Sequence, residues 1–261
     1  MDQILLMNHP LQVKRRAATA VVPKDPHQVG GAWFVLATNE YKVTSNPEDD
    51  IGVPYWWDST ASAHHLVNEV DAGYPNYFDG AGPNSRPRIT FDGANDRLYL
   101  ATLPGAGFTE FTVAFVMKAH TIAEGRGVMS WAGSPGFNDW DIINSGNFYL
   151  NAANQFGFYR PTGADTPNVF GAIDTTSWNL WVFRFKAGVL ELYKNGTLLM
   201  SDTGTVLTMT PTLLNLGARL YGGVAGDWAN VSFAHVSAWF TGRSDSNLAS
   251  LHSYLKTRYA L

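Results

Sequence analysis

The sequence predicts an all-β protein: a two-sheet antiparallel jelly-roll sandwich, with an extended N-terminal arm before it and one helix after it. Three observations point there. From Asp92 onward apolar side chains recur with a period of two along short segments, the pattern of strands with one face buried. Twenty-five Gly and thirteen Pro break the chain between those segments, and aromatics reach 13% with 9 Trp, 11 Tyr and 15 Phe, as in sheets joined by tight turns. The strands also follow one another without intervening helices, which excludes a parallel βαβ sheet.

Residues 1–54 stand apart as an arm. Pro10, Pro23, Pro26 and Pro47, with the acidic run Glu48-Asp49-Asp50, interrupt any helix or long strand. Ile4, Leu5, Leu6, Leu11, Val21 and Val22 are side chains that seek apolar surface. Lys14-Arg15-Arg16 is a local basic cluster suited to an acidic partner. Leu5, Leu6 and these three cations are the candidate partner-binding residues of the arm. It anchors the chain to neighbouring copies or to a particle, or else it returns to its own sandwich as an extra edge strand through Ala32 to Ala37.

Residues 55–261 carry the sandwich. In Phe111 to Lys118 the side chains Phe111, Val113, Phe115 and Met117 share one face. Gly127 to Ala132 and Gln155 to Arg160 are further short strands. Leu180 to Lys186 sets Trp181, Phe183 and Phe185 on one side, then turns at Ala187-Gly188 into Val189 to Tyr193. Asn195-Gly196 between two apolar runs signals a type I′ hairpin, whose two central residues need positive φ. Leu213 to Gly217 and Val231 to Phe240 complete the strands. Beyond Ser244, Leu248, Leu251, Leu255 and Tyr259 recur at helical spacing, with Ser244 or Asp245 as N-cap.

Bulk properties exclude several classes. At 261 residues the chain has the length of one large sandwich domain. A net charge of -4 offers no general attraction to nucleic acid or to an anionic membrane. The absence of cysteine removes disulfides, thiolate metal sites and thiol nucleophiles together. Asp2 occupies the place of a positive n-region, and Ile4-Leu5-Leu6-Met7 is short for a signal core, so no cleaved signal peptide is expected.

Four segments, in order, resemble the laminin-G-like branch of the concanavalin A-like lectin/glucanase superfamily. They are Tyr55-Trp56-Trp57-Asp58-Ser59-Thr60-Ala61-Ser62, Asn84 to Leu98 around Phe91-Asp92-Gly93, the Leu192-Tyr193-Lys194-Asn195-Gly196 hairpin, and the closing helix from Ser244 to Leu261. The resemblance spans residues 55–261 and implies the concanavalin A-like sandwich. It also implies a setting, because such sandwiches occur on phage heads, fibres and tails.

The chemistry of the residues points away from catalysis. Glycosidases of this superfamily carry carboxylates two apart on a strand face. Glu191 stands alone on its strand, and Asp139 and Asp141 lie in a Gly-Pro-rich loop. His64-His65 are adjacent and do not share a face. Calcium is the one candidate cofactor, through Asp139, Asp141 and Asn144. A glycan site needs an aromatic beside polar side chains, which selects Trp140 with Asp139 and Asp141, and Arg219, Tyr221 and Trp228. The expectation is a non-enzymatic structural or decoration protein of a virion, that of a bacteriophage, built on a lectin-like sandwich. Its expected partners are other virion subunits, further copies of itself and surface glycans. A carbohydrate-binding lectin module of a bacterial protein is the alternative, and a glycoside hydrolase the third class.

Overall fold

The computed structural model describes residues 34–37, 51–53, 55–56, 58–60, 64–68, 73–100, 103, 107–133, 138–139, 145–159, 167–205, 208–221 and 224–261. In chain order the first strands are β1 (Phe34–Ala37), β2 (Ile51–Gly52), β3 (Tyr55–Trp56), β4 (Leu66–Val67), β5 (Asn76–Phe78), β6 (Arg88–Asp92) and β7 (Leu98–Leu100). There follow β8 (Phe111–Ala119), β9 (Arg126–Ala132), β10 (Gly146–Asn151), β11 (Gln155–Tyr159), β12 (Val169–Ala172) and β13 (Asn179–Lys186). The last are β14 (Val189–Lys194), β15 (Thr197–Thr203), β16 (Leu213–Leu216), β17 (Arg219–Tyr221), β18 (Val224–Gly226) and β19 (Asn230–Trp239), then helix α1 (Asp245–Tyr259).

These form two stacked antiparallel sheets. The first runs β15-β14-β13-β8-β19-β6-β5-β2, the second β12-β11-β10-β9-β16-β7-β4-β3, and β17 with β18 makes a separate hairpin. Two strands of the segment read as an arm join the first sheet: β2 beside β5, and β1 against the C-terminal half of β19, with Phe34 opposite Ala238 and Ala37 opposite His235. Leu36 is fully buried there. Leu5, Leu6, Lys14, Arg15 and Arg16 lie outside the described residues.

The inner faces meet in an aromatic core. Phe111, Phe115, Trp181, Phe183 and Phe185 come from the first sheet, and Trp131, Phe148, Phe156 and Phe158 from the second. The rings interlock edge to face, with Phe148 5.3 Å from both Trp131 and Phe115. Period-two alternation is interrupted where β19 shifts register on β8 between Phe233 and His235. The bulge lets Phe233 and Val236 both face the core while Ala234 turns outward.

The outer face of the first sheet is covered by α1. Leu248, Leu251, Leu255 and Tyr259 pack on Ala114, Val116, Leu180, Val182, Ala234 and Trp239, so β8 and β13 are buried on both faces. Ser244 caps the helix by accepting from Asn247 N. Arg184 fastens it, donating to Glu191 at 2.5 Å and to Asp245 at 2.6 Å.

Turn chemistry accounts for the family-like segments. Asn195 and Gly196 have φ of 50° and 82°, as a type I′ turn requires. Asp92 accepts from Ala94 N at 2.7 Å, and Asp96 accepts from Asp92 N at 2.8 Å. Asp58 accepts from Thr60 N, Thr60 Oγ1 and His64 N, which orders the loop after β3. Each carboxylate closes a turn.

Candidate functional site on the outer face of the second sheet

Among the described residues no helix covers the second sheet; the β17–β18 hairpin lies over it instead. Glycine makes that approach possible. A Cβ on Gly127 of β9 would stand 2.4 Å from Arg219 N and 2.6 Å from Ala218 C, so any side chain there would lift the hairpin. A register shift between Phe148 and Tyr149 leaves Gly127 opposite Tyr149 on the outer face.

That pairing extends into a row. Tyr149 on β10 lies beside Gly157 on β11, and Gly157 beside Phe170 on β12. Gly157 forms the floor on which the Phe170 ring folds, since a Cβ there would be 2.2 Å from Phe170 Cδ1. The Phe170 and Tyr149 rings then meet edge to face at 5.4 Å, with Tyr159 6.2 Å from Tyr149. All three rings are half-buried.

A polar cluster adjoins these rings. Arg219 lies over Tyr149 at 5.9 Å and over Tyr221 at 5.1 Å. Its guanidinium grips Asp139, Nη2 to Oδ1 at 2.9 Å and Nε to Oδ2 at 3.2 Å, and Leu220 N donates to Asp139 Oδ2 at 3.0 Å. Tyr221 OH donates to Asp227 Oδ2. Burial pushes the Asp139 carboxyl above the usual carboxylate range, while Arg219 and the Leu220 N–H pull it back. Burial, then the Asp227 contact, pushes the Tyr221 hydroxyl up to about 12, so it is a donor at neutral pH.

Of the residues expected at a glycan site, the structure therefore brings Asp139, Arg219 and Tyr221 together. Asp139 is fully buried; its part is to hold Arg219 rather than to touch a ligand. Trp228 is half-buried, its backbone bridged to Gly127. Trp140 and Asp141 lie outside the described residues, as does Asn144 of the expected calcium set. Among the described residues no three His, Asp or Glu side chains converge as a metal site. Glu191 faces away from this region and pairs with Arg184. No described helix is long and apolar enough to cross a membrane.

Sequence reasoning missed Tyr149, Tyr159, Phe170 and Asp227, and with them two buried amides. Asn147 and Asn215 share the outer face, each 1% exposed. Neither amide nitrogen nor oxygen of either finds a hydrogen-bond partner. An unpaired buried polar group costs about 1–3 kcal/mol. The only signal in the sequence is a lone Asn between apolar neighbours in each strand, Gly146-Asn147-Phe148 and Leu214-Asn215-Leu216.

No protein-family model and no curated protein matches the chain. Solved structures do match it in shape. Domain 4 of an extracellular arabinanase from Geobacillus stearothermophilus, in complex with arabinotriose, superposes with a TM-score of 0.54 at 15% identity, covering 85% of this chain and 98% of that domain. The binding domain of Paraclostridial Mosquitocidal Protein 1 gives 0.59 at 12% identity over 87% of this chain. A Trypanosoma rangeli sialidase bound to a difluoro sugar analogue gives 0.55 at 16% identity over 93%. The fold shared with them is an all-β antiparallel sandwich. This chain spans about half of the toxin binding domain, 53%, and about a third of the sialidase, 36%.

Proposed function

We propose that the protein is a non-enzymatic carbohydrate-binding β-sandwich whose glycan lies on the outer face of the second sheet. The observation that carries the reading is the Tyr149–Tyr159–Phe170 ring cluster beside Arg219, Tyr221 and Asp227. Half-buried rings accept the apolar face of a sugar, and the neighbouring charges and hydroxyl fix its orientation. Similarity to an arabinanase domain complexed with arabinotriose supports the same reading. Against catalysis stand the sealing of Asp139 by Arg219 and the engagement of Glu191 by Arg184, which leave neither carboxylate placed as acid or nucleophile.

We further propose that this binding module belongs to a virus particle, as a head, fibre or tail protein of a bacteriophage, among other virion subunits and copies of itself. The four laminin-G-like segments and the arm of residues 1–54 support that setting by analogy alone. Titration calorimetry with arabinotriose, backed by a glycan array, tests the first proposal: a glycan binds, and Tyr149→Ala weakens it at least about tenfold. A chain that binds nothing on the array overturns it, and release of reducing ends overturns the non-enzymatic part. Mass spectrometry of purified particles tests the second, and particles lacking the chain overturn it.

A further inference from the structure

A second row of side chains crosses the outer face of the second sheet beside the Tyr149 row. Tyr99 on β7 pairs with Asn215 on β16, Asn215 with Ser130 on β9, Ser130 with Asn147 on β10, and Asn147 with Tyr159 on β11. Ser130, in the middle, donates to Ala218 O at 2.9 Å, at the foot of the β17–β18 hairpin. The carboxamides on either side of it are unpartnered at both ends and 1% exposed. Folding gains nothing from four such groups, because leucine of similar shape would fill each position without the desolvation penalty.

We infer that this row reads the hydroxyls of a neutral glycan, an inference that rests on the carbohydrate-binding reading above. A carboxamide sets a donor beside an acceptor, and a vicinal pair of sugar hydroxyls answers with an acceptor beside a donor. Asn147 and Asn215 are two strands apart, roughly 10 Å, so a ligand that satisfies both is a chain of linked rings rather than a single one. Half-buried Tyr99 and Tyr159 stand at the two ends of the row, where they present ring surface to the flanking sugars. No charged side chain belongs to the row: Arg219 beside it is matched by Asp139 at 2.9 Å, and Arg97 at its Tyr99 end lies over that ring at 4.9 Å. The groups that read the ligand are thus neutral carboxamides and a hydroxyl, which answer sugar hydroxyls rather than a sugar carboxylate. The row is closed over in the structure, so the ligand enters as the segment carrying Ala218 moves off Ser130.

The test titrates the full chain with arabinotriose and cellotetraose as neutral probes and with 3′-sialyllactose as an acidic one. Asn147→Leu and Asn215→Leu are measured beside Tyr149→Ala, each with its melting temperature, and Asn147→Ser and Asn215→Ser replace any leucine variant that fails to fold. The expected result is that a neutral probe binds the wild-type chain and that each leucine variant weakens it at least tenfold without lowering the melting temperature. The acidic probe binds at least tenfold more weakly than the neutral one. Asn variants that bind as wild type while their melting temperature shifts overturn the inference, since the amides then hold only ordered water. Tighter binding of 3′-sialyllactose overturns it as well. In both cases a loss of binding in Tyr149→Ala leaves the carbohydrate-binding reading standing, whereas a wild-type chain that binds no probe and no arrayed glycan overturns both.

Discussion

Asp139 is fully buried, and its charge is tolerated because Arg219 and the Leu220 N–H surround it. Removing the cation strands a buried carboxylate, so Arg219→Ala is expected to cost about 3 kcal/mol. Asp139→Asn keeps a hydrogen-bonding group of the same shape and should cost less; urea titration of both variants checks the order. Burial, with Lys256 and Arg184 nearby, depresses the His252 imidazole from 6.5 to about 4. The unfolded chain therefore takes up a proton that the folded chain refuses, and the stability present above pH 6.5 is lost as pH falls toward 4. Asp96 works in the opposite sense: burial raises its carboxyl to about 6, so protonation below that pH favours the folded state. His252→Gln is expected to flatten the fall of melting temperature between pH 7 and 4.5, followed by calorimetry. An unchanged slope would mean that His252 titrates normally.

Helix α1 illustrates how one polar side chain positions an element that apolar contacts alone would leave free to slide. Its stripe of Leu248, Leu251, Leu255 and Tyr259 supplies the adhesion, but such a stripe specifies no register along the sheet. Arg184, 7% exposed, does so by joining Glu191 of β14 to Asp245 at the helix start and to Arg243 O. Arg184→Ala leaves Glu191 unpaired at the helix edge and is expected to cost about 2–3 kcal/mol, whereas Asp245→Ala, at an exposed position, changes stability little. Chemical denaturation of the two variants separates these outcomes. The β17–β18 hairpin depends on a different device. It belongs to neither sheet and is seated by the bare backbone of Gly127 and by the Asp139–Arg219 contact, so it brings Arg219 over the Tyr149 ring of β10.

The molecule as a whole assigns its two outer faces to different tasks: one sheet is sheathed by a helix, and the other carries rings, paired ions and buried amides. The sandwich also reaches further toward the N-terminus than residue 55. Leu36 of β1 is fully buried, and β1 continues the sheet along β19 where β6 ends. Deletion of residues 1–37 is expected to lower the melting temperature by roughly 5 °C, read by differential scanning calorimetry; an unchanged value would mean that β1 adds nothing to the sandwich.

Local chemistry is legible in the sequence alone. The shared faces of Phe111, Val113, Phe115 and Met117 and of Trp181, Phe183 and Phe185, the Asn195-Gly196 turn and the Ser244-capped helix all depend on neighbours within a few residues, and the structure has each of them. Asp139, Arg219 and Tyr221 were legible as chemical types, though not as a cluster in which the carboxylate is sealed. The rest was hidden for a physical reason. A period of two tells which side chains share a face of one strand, but not which strand lies alongside or what covers it. Only the paired sheet could put Tyr149 beside Phe170 across the bare backbone of Gly157, or set Asn147 and Asn215 on either side of Ser130. Nothing in the sequence sets those two asparagines apart; packing over the sheet excludes solvent from them and leaves their amides without partners.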